Sequence, residues 1–401
     1  MPEWPTALDV RALLDGGWRP VPFSEFVIKL HSRCDLACDY CYMYTMADQS
    51  WRHRSRRMSR PVIDLVAMRI AEHARAHELP GVKVILHGGE PLLAGPDFIT
   101  YAVSSVRRAV GPQTRVDVTI QTNGVRLNGD YLDLFARLGV KVGVSVDGPA
   151  SAHDRHRRRA DGSGSYRAVE GALRRLAAHP MRDDLFGGLL CTIDIKNDAI
   201  ATYEGLIEFD PPMIDLLLPH GNWAAPPPGR VPGSPQTPYA DWLIAVFDRW
   251  YAAPRRETRV RLFGELMQAI LGGISGTEAI GLAPVAMVVI DTDGEIELSD
   301  ALKSAFHGAP FTGSHVARDA FDAVLTHPSV AARQLGHAAL CDSCRGCVLS
   351  RVCGAGHYAH RYRPGRGFAN PSVYCPDLFR LITHIRDVLR TDITALGEVC
   401  Q

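Results

Sequence analysis

Short runs of apolar and β-branched residues recur through the first half of the chain, at 26–31, 82–87, 115–122, 141–146, 188–193 and 213–218. Between them lie stretches in which apolar positions return every three to four residues, at 62–77, 98–110, 130–138, 166–178 and 199–209. The first pattern suits buried strands and the second amphipathic helices. Six alternations predict a parallel sheet with right-handed crossovers, an α/β fold in the form of an open or partial (β/α)6 barrel over residues 25–222, after an extension at 1–24. A proline-rich stretch at 224–238 breaks the pattern and reads as a surface loop. Helices predicted at 239–252 and 261–271 complete a linker region over 223–284. In the remaining region, 285–401, apolar runs at 285–290 and 295–298 flank Asp291-Thr-Asp-Gly294, a hairpin turn signal, and a last helix is expected from Asp377.

Composition narrows the partners. Among 401 residues, lysine plus arginine balances aspartate plus glutamate at 44 each, which gives no electrostatic case for nucleic acid or an anionic membrane. No stretch approaches the roughly 20 apolar residues of a membrane span. The start, Met1-Pro-Glu-Trp, has no basic region followed by an apolar one, so a cytoplasmic location is expected. The ten cysteines are bunched: Cys34, Cys38 and Cys41 stand together, and five more lie between Cys341 and Cys375. Bunching of this kind favours metal or cluster ligation over disulfides.

The first bunch, Cys34-Asp-Leu-Ala-Cys38-Asp-Tyr-Cys41, directly follows the first predicted strand. Three thiolates at this spacing can wrap three irons of a cubane and leave the fourth open, whereas sites that only carry electrons commonly use four cysteines. An open iron suits a chelating substrate such as S-adenosylmethionine (SAM). On these residues alone, a structural zinc site completed by His31 or His53 is the alternative. Three further motifs, His87-Gly-Gly-Glu-Pro91, Gln121-Thr-Asn-Gly124 and Ser145-Val-Asp-Gly148, end the second, third and fourth predicted strands. Parallel barrels build their active sites at those carboxyl ends.

With Tyr40 before the last cysteine, this set resembles the radical SAM superfamily over residues 26 to about 160. The resemblance implies a [4Fe–4S] cluster on Cys34, Cys38 and Cys41 that reductively cleaves SAM to a 5′-deoxyadenosyl radical. It places Tyr40, Gly88, Gly89, Glu90, Asn123, Ser145, Asp147 and Arg157 around SAM. Gly88 and Gly89 would let backbone approach the methionine moiety, with Glu90 pairing to its ammonium. Ser145, Asp147 and Asn123 would reach the ribose or carboxylate, and Arg157 the carboxylate. Tight βα turns and a solvated loop carboxylate are the plainer roles for the same residues.

Cys344-x2-Cys347-x5-Cys353, with Cys375 beyond, resembles the auxiliary-cluster region of SPASM domains. That pattern would place a further cysteine where this chain has His357, and a hairpin-closing one about where it has Ser299. The missing positions are those of the cluster nearer the active site. The resemblance therefore implies one auxiliary [4Fe–4S] cluster on Cys344, Cys347, Cys353 and Cys375, against the alternative of a four-cysteine zinc knuckle. Cys341 is left over, Cys191 suits core packing, and Cys400 carries no assignment.

Longer stretches, including 33–42, 86–95, 188–194, 247–251, 299–305 and 358–362, resemble the FxsB-type, cyclophane-forming peptide maturases. This implies a ribosomally made precursor peptide as substrate and reduced flavodoxin or ferredoxin as electron donor. The implied reaction takes a β-hydrogen and joins that carbon to an aromatic ring. Asp300 would accept the proton released on rearomatisation, or else cap a turn near Asp291–Gly294; Lys303 is a weaker candidate for orienting the substrate. Some 25 residues precede the first strand, too few for an N-terminal leader-binding module, so leader recognition is expected elsewhere. The basic run from Trp51 to Arg57 could meet an acidic peptide or be a solvated loop. Oxidation of a serine or cysteine to an aldehyde, thioether formation, and a non-catalytic zinc-binding protein are the competing functions.

Overall fold

The computed structural model of the chain describes residues 3–399. Its centre is one sheet of ten strands: β1 (Glu25–His31), β2 (Gly81–Gly88), β3 (Arg115–Thr122), β4 (Val140–Ser145), β5 (Phe186–Thr192), β6 (Met213–Leu217), β7 (Arg259–Val260), β8 (Met287–Ile290), β9 (Glu295–Glu297) and β10 (Phe311–His315). The spatial order is β10-β9-β8-β1-β2-β3-β4-β5-β6-β7. Neighbours from β8 through β1 to β7 are parallel, while β9 pairs antiparallel with both β8 and β10. The sheet does not close, because β7 and β10 remain edges. The partial (β/α) barrel read from the six alternations is the fold observed.

Alternation along the strands separates two faces. In β2, Val82, Val84, Leu86 and Gly88 are buried under the helices. Lys83, Ile85 and His87 point the other way and line a cavity of about 400 Å³ inside the barrel. The outer layer begins with the helix Arg60–Ala76, whose N-cap Ser59 accepts from Val62 N and whose second residue is proline. Its face buries Ile63, Val66 and Ile70, and the next helix, Pro96–Val110, buries Phe98, Ile99 and Val103. Each such side chain contributes roughly 1.5–3 kcal/mol on leaving water. Asn128 and Asp198 cap the helices Gly129–Leu138 and Ala199–Ile207 in the same way as Ser59.

The six expected strands are present with ends shifted by up to two residues. The elements that escaped the pattern include β7, β10 and short helices such as Ala150–His156 and Pro328–Gln334. The hairpin expected around Asp291–Gly294 is formed by β8 and β9, and β8 lies beside β1, so the cysteine-rich region extends the barrel sheet. The proline-rich stretch 224–238 has no regular structure before Pro238, yet Arg230 within it is buried against Asp377, Nε to Oδ2 3.4 Å. No described helix is long and apolar enough to cross a membrane.

One buried charge departs from the apolar pattern of β1. Lys29 is fully enclosed, and its ammonium lies 2.9 Å from Asp291, 2.8 Å from Glu297 and 2.5 Å from Asp300. These three carboxylates lower the energy of the ammonium enough to outweigh its desolvation, and its pKa stands well above the usual lysine value. Removing one partner of a buried ionic cluster leaves uncompensated charge, typically worth about 3–5 kcal/mol. Lys29→Met is therefore expected to lower stability by about 3–5 kcal/mol in urea unfolding; an unchanged midpoint would show that the carboxylates do not need the ammonium.

Candidate active site

The loop after β1 carries Cys34, Cys38 and Cys41, and all three line a cavity of about 170 Å³ at the carboxyl end of the barrel. Burial pushes the Cys34 thiol up to about 12 and the Cys38 thiol up to about 11, so a bound cation is what would keep them as thiolates. The motif after β2 fits tightly beneath this loop. Gly88 has φ +147°, and a Cβ there would run into the His31 carbonyl. A Cβ on Gly89 would strike the Tyr44 hydroxyl and the Arg33 carbonyl. Gly89 N donates to His31 O at 2.8 Å and Glu90 N to Arg33 O at 3.0 Å, which locks the two loops together.

The expected SAM residues divide into two groups. Tyr40, Gly88, Gly89, Asn123, Ser145 and Arg157 line the cavity with the three cysteines. Glu90 and Asp147 do not; both are buried behind its wall. Glu90 accepts from Leu92 N (2.9 Å), Thr122 Oγ1 (2.8 Å) and Asn123 N (2.8 Å), so it fastens the second motif to the third. Asp147 accepts from Arg157 Nε at 2.8 Å, from Thr192 N at 3.0 Å and from the Tyr40 hydroxyl. Arg157 lies over the Tyr40 ring at 5.6 Å, and its Nη groups have no protein partner among the described residues. Asn123 Nδ2 donates to Asp35 at 2.8 Å and reaches Cys34 Sγ at 3.5 Å.

Several lining residues received no role from the sequence: Tyr42, His87, Gln121, Thr192 and His220. His87 and Gln121 open two of the strand-end motifs, a signal that was available. The cavity adjoins the 400 Å³ barrel cavity, and Tyr42, His87, Gln121 and Leu190 line both. Asp300 lines the second cavity, paired with Lys29. Lys303 is buried in ion pairs with Asp48 (3.1 Å) and Glu297 (3.5 Å) and lines neither cavity.

A second set of thiols lies apart from the barrel. Cys344, Cys347, Cys353 and Cys375 line one cavity of about 140 Å³, together with Leu349, Ala355 and Phe379. Cys375 enters at the first turn of the final helix, Cys375–Val399. Cys341 lies at the edge of this set, where Cys344 N donates to its carbonyl at 3.0 Å. Cys191 is buried in the barrel core, and Cys400 is outside the described residues.

A family model for the radical SAM superfamily matches residues 28–200. Over these residues the chain is similar to radical SAM proteins. A serine-type anaerobic sulfatase-maturating enzyme of Bacteroides thetaiotaomicron is 32% identical over 158 residues, 39% of this chain and 37% of that protein. An uncharacterized Synechocystis protein is 32% identical over 37% of this chain and 36% of its own length, so these two alignments span about a third of each relative. The serine-type enzyme of Klebsiella aerogenes is 23% identical over 92% of this chain and 87% of its own. Among solved structures, native anSMEcpe with bound AdoMet superimposes with TM-score 0.77 at 19% identity, covering 92% of this chain and 98% of that one. Streptococcus suis SuiB bound to precursor peptide SuiA gives TM-score 0.56 at 14% identity, covering 91% and 78%.

The cofactors of a radical SAM domain are a [4Fe–4S] cluster and SAM, and the geometry suits a cluster better than zinc. With Zn–S near 2.3 Å, tetrahedral zinc would hold its sulfurs about 3.8 Å apart. Among the described residues, neither cysteine set contains three ligand atoms within 4.8 Å of one another. Glu90 gives a pH test of the wall. Burial, partly opposed by its hydrogen bonds, pushes its carboxyl up from 4.5 to about 7. A folded-state pKa raised above the unfolded value means that stability falls as pH rises from about 4.5 to about 7. Glu90→Gln should flatten that slope in urea unfolding at pH 5, 6 and 7; an unaltered slope would place the proton elsewhere.

Proposed function

We propose that the chain modifies a ribosomally made precursor peptide, joining a β-carbon to an aromatic ring of a nearby residue. The observation that carries this reading is the junction of two cavities: one faces Cys34, Cys38 and Cys41, and the other presents Asp300. Hydrogen abstraction and proton acceptance would then occur on one bound segment. When bound, the cluster and SAM would supply a deoxyadenosyl radical, which removes the first hydrogen.

The chain's own residues would act as follows. Cys34, Cys38 and Cys41 would ligate three irons, and Asn123, through Nδ2 at 3.5 Å from Cys34, would hold that thiolate. The free Nη groups of Arg157 would take the SAM carboxylate, with Asp147 fixing the guanidinium through Nε. Carbonyls of Gly88 and Gly89 would accept from the ammonium. Glu90, committed to three donors, acts by positioning Asn123. Ser145, held by Gln121 Nε2 at 2.9 Å, would meet the ribose. Asp300 would accept the proton lost on rearomatisation. Cys344, Cys347, Cys353 and Cys375 would hold an auxiliary cluster able to take up the remaining electron, with reduced flavodoxin or ferredoxin as the external electron donor.

Side-chain oxidation to an aldehyde is a second reading, supported by the relatives named as sulfatase-maturating enzymes. Ser299 and His357, where the SPASM pattern has cysteines, and the FxsB-like stretches favour the crosslink. Tandem mass spectrometry of the genomically adjacent small peptide, after incubation with reconstituted enzyme, SAM and reductant, separates the two. The crosslink predicts loss of two hydrogens with fragmentation suppressed between an aromatic residue and its neighbour. Full fragmentation with reactivity to an aldehyde reagent would replace the proposal by side-chain oxidation.

A further inference from the structure

Three histidines meet where the barrel joins the C-terminal region. His220 follows β6, His357 caps the 3-10 turn Tyr358–Arg361, and His360 lies within that turn. Spacing of three residues on a 3-10 turn stacks the last two side chains on one face. One ring nitrogen from each histidine lies within 4.8 Å of the others, and His220 Nδ1 is 3.3 Å from His360 Nε2. The ring centroids are 5.4, 5.4 and 5.0 Å apart.

Ordinary core packing leaves much of this unexplained. His360 Nδ1 is buried with no hydrogen-bond partner. His220 Nε2 and His357 Nε2 likewise have no protein partner among the described residues, although His357 Nδ1 accepts from Ala359 N at 3.2 Å. The other described histidine cluster, His73–His77–Asp322, is different: Phe23 N donates to His73 Nε2 at 3.0 Å and Asp322 takes both rings. Nearby cations are engaged: Arg333 with Glu278, and Arg361 with the carbonyls of Gly354 and Gly356.

We propose that His220, His357 and His360 hold one divalent first-row transition metal ion, with a coordination position open to the barrel interior. Imidazole suits zinc, iron, nickel and copper, and three protein ligands leave a fourth position for water or a substrate carbonyl. With metal–nitrogen bonds of about 2.0–2.1 Å, tetrahedral nitrogens lie about 3.3 Å apart. The His220–His360 pair already has that spacing. All three histidines line a cavity of about 530 Å³, and His220 also lines the cavity of Cys34, Cys38 and Cys41. An ion here would face the same bound segment as those thiols. The scaffold is fixed beforehand: Tyr374 donates to Pro219 O at 2.6 Å, and Trp223 N to Tyr362 O at 3.1 Å. The site does not depend on which peptide reaction the chain performs.

The test is an anaerobic titration of the cluster-loaded full chain with Co²⁺ after removal of loosely held metal. The proposal predicts uptake of about one Co²⁺ per chain, as three imidazoles on one ion require. The spectrum should show d–d bands without a sulfur-to-cobalt charge-transfer band. His357→Gln and His360→Gln proteins with unaltered iron content should lose this uptake. No saturable uptake by the unsubstituted chain, or uptake with a sulfur band that survives both substitutions, would overturn it. Should the variants lose iron, X-ray absorption of the unsubstituted cobalt-loaded chain decides: nitrogen scattering supports the site and sulfur scattering overturns it.

Discussion

One ammonium, that of Lys29, ties the start of the sheet to its far side. It stands in β1, five residues before Cys34, and meets carboxylates at 291, 297 and 300, some 260 residues later in sequence. A charge enclosed in this way is tolerated only with its partners in place. The ion pairs therefore hold β8 beside β1, with β9 and the turn after it next to β8. The same constraint holds Asp300 at the barrel cavity, while β1 delivers the cysteine loop to the neighbouring one. Arg54 reinforces the arrangement through Glu297 at 2.9 Å and Asp293 at 2.5 Å.

The two cysteine sets are treated differently by this frame. The barrel set sits on a loop clamped by Gly88, Gly89 and Glu90, so its surroundings are fixed by strand-end backbone. The outer set is assembled from two short turns and the head of the final helix, within a cavity lined by Leu349, Ala355 and Phe379. Low polarity there would raise the cost of added charge on a cluster. A cluster held there would need nearby donors and cations to accept an electron, and Arg361 lies close enough to Cys353 to interact with its charge.

The barrel was legible because its strands are short runs rich in β-branched residues, as in 115–122, and its helices hold a clear period, as in 98–110. β7 has two residues and β10 carries a glycine and two hydroxyl residues, too little pattern to be seen. The cavity-lining residues could be read where they sat in strand-end motifs. Glu90 and Asp147 were expected against SAM but turned inward, because sequence spacing does not say which side of a loop a carboxylate takes. Asp300 was read as base or turn cap; Lys29, its actual partner, is invisible to any local pattern. His357 and His360 share a turn, but His220 joins them only through the meeting of distant segments.

In the proposed chemistry, Cys34, Cys38 and Cys41 hold a cluster with an iron open to SAM. The most direct measurement is the release of 5′-deoxyadenosine from SAM by the anaerobically reconstituted, reduced chain, compared with Cys38→Ala. Release is expected from the unsubstituted chain and none above background from Cys38→Ala, with iron on the outer set retained. Equal release by both proteins, or none by either despite full iron loading, would contradict it.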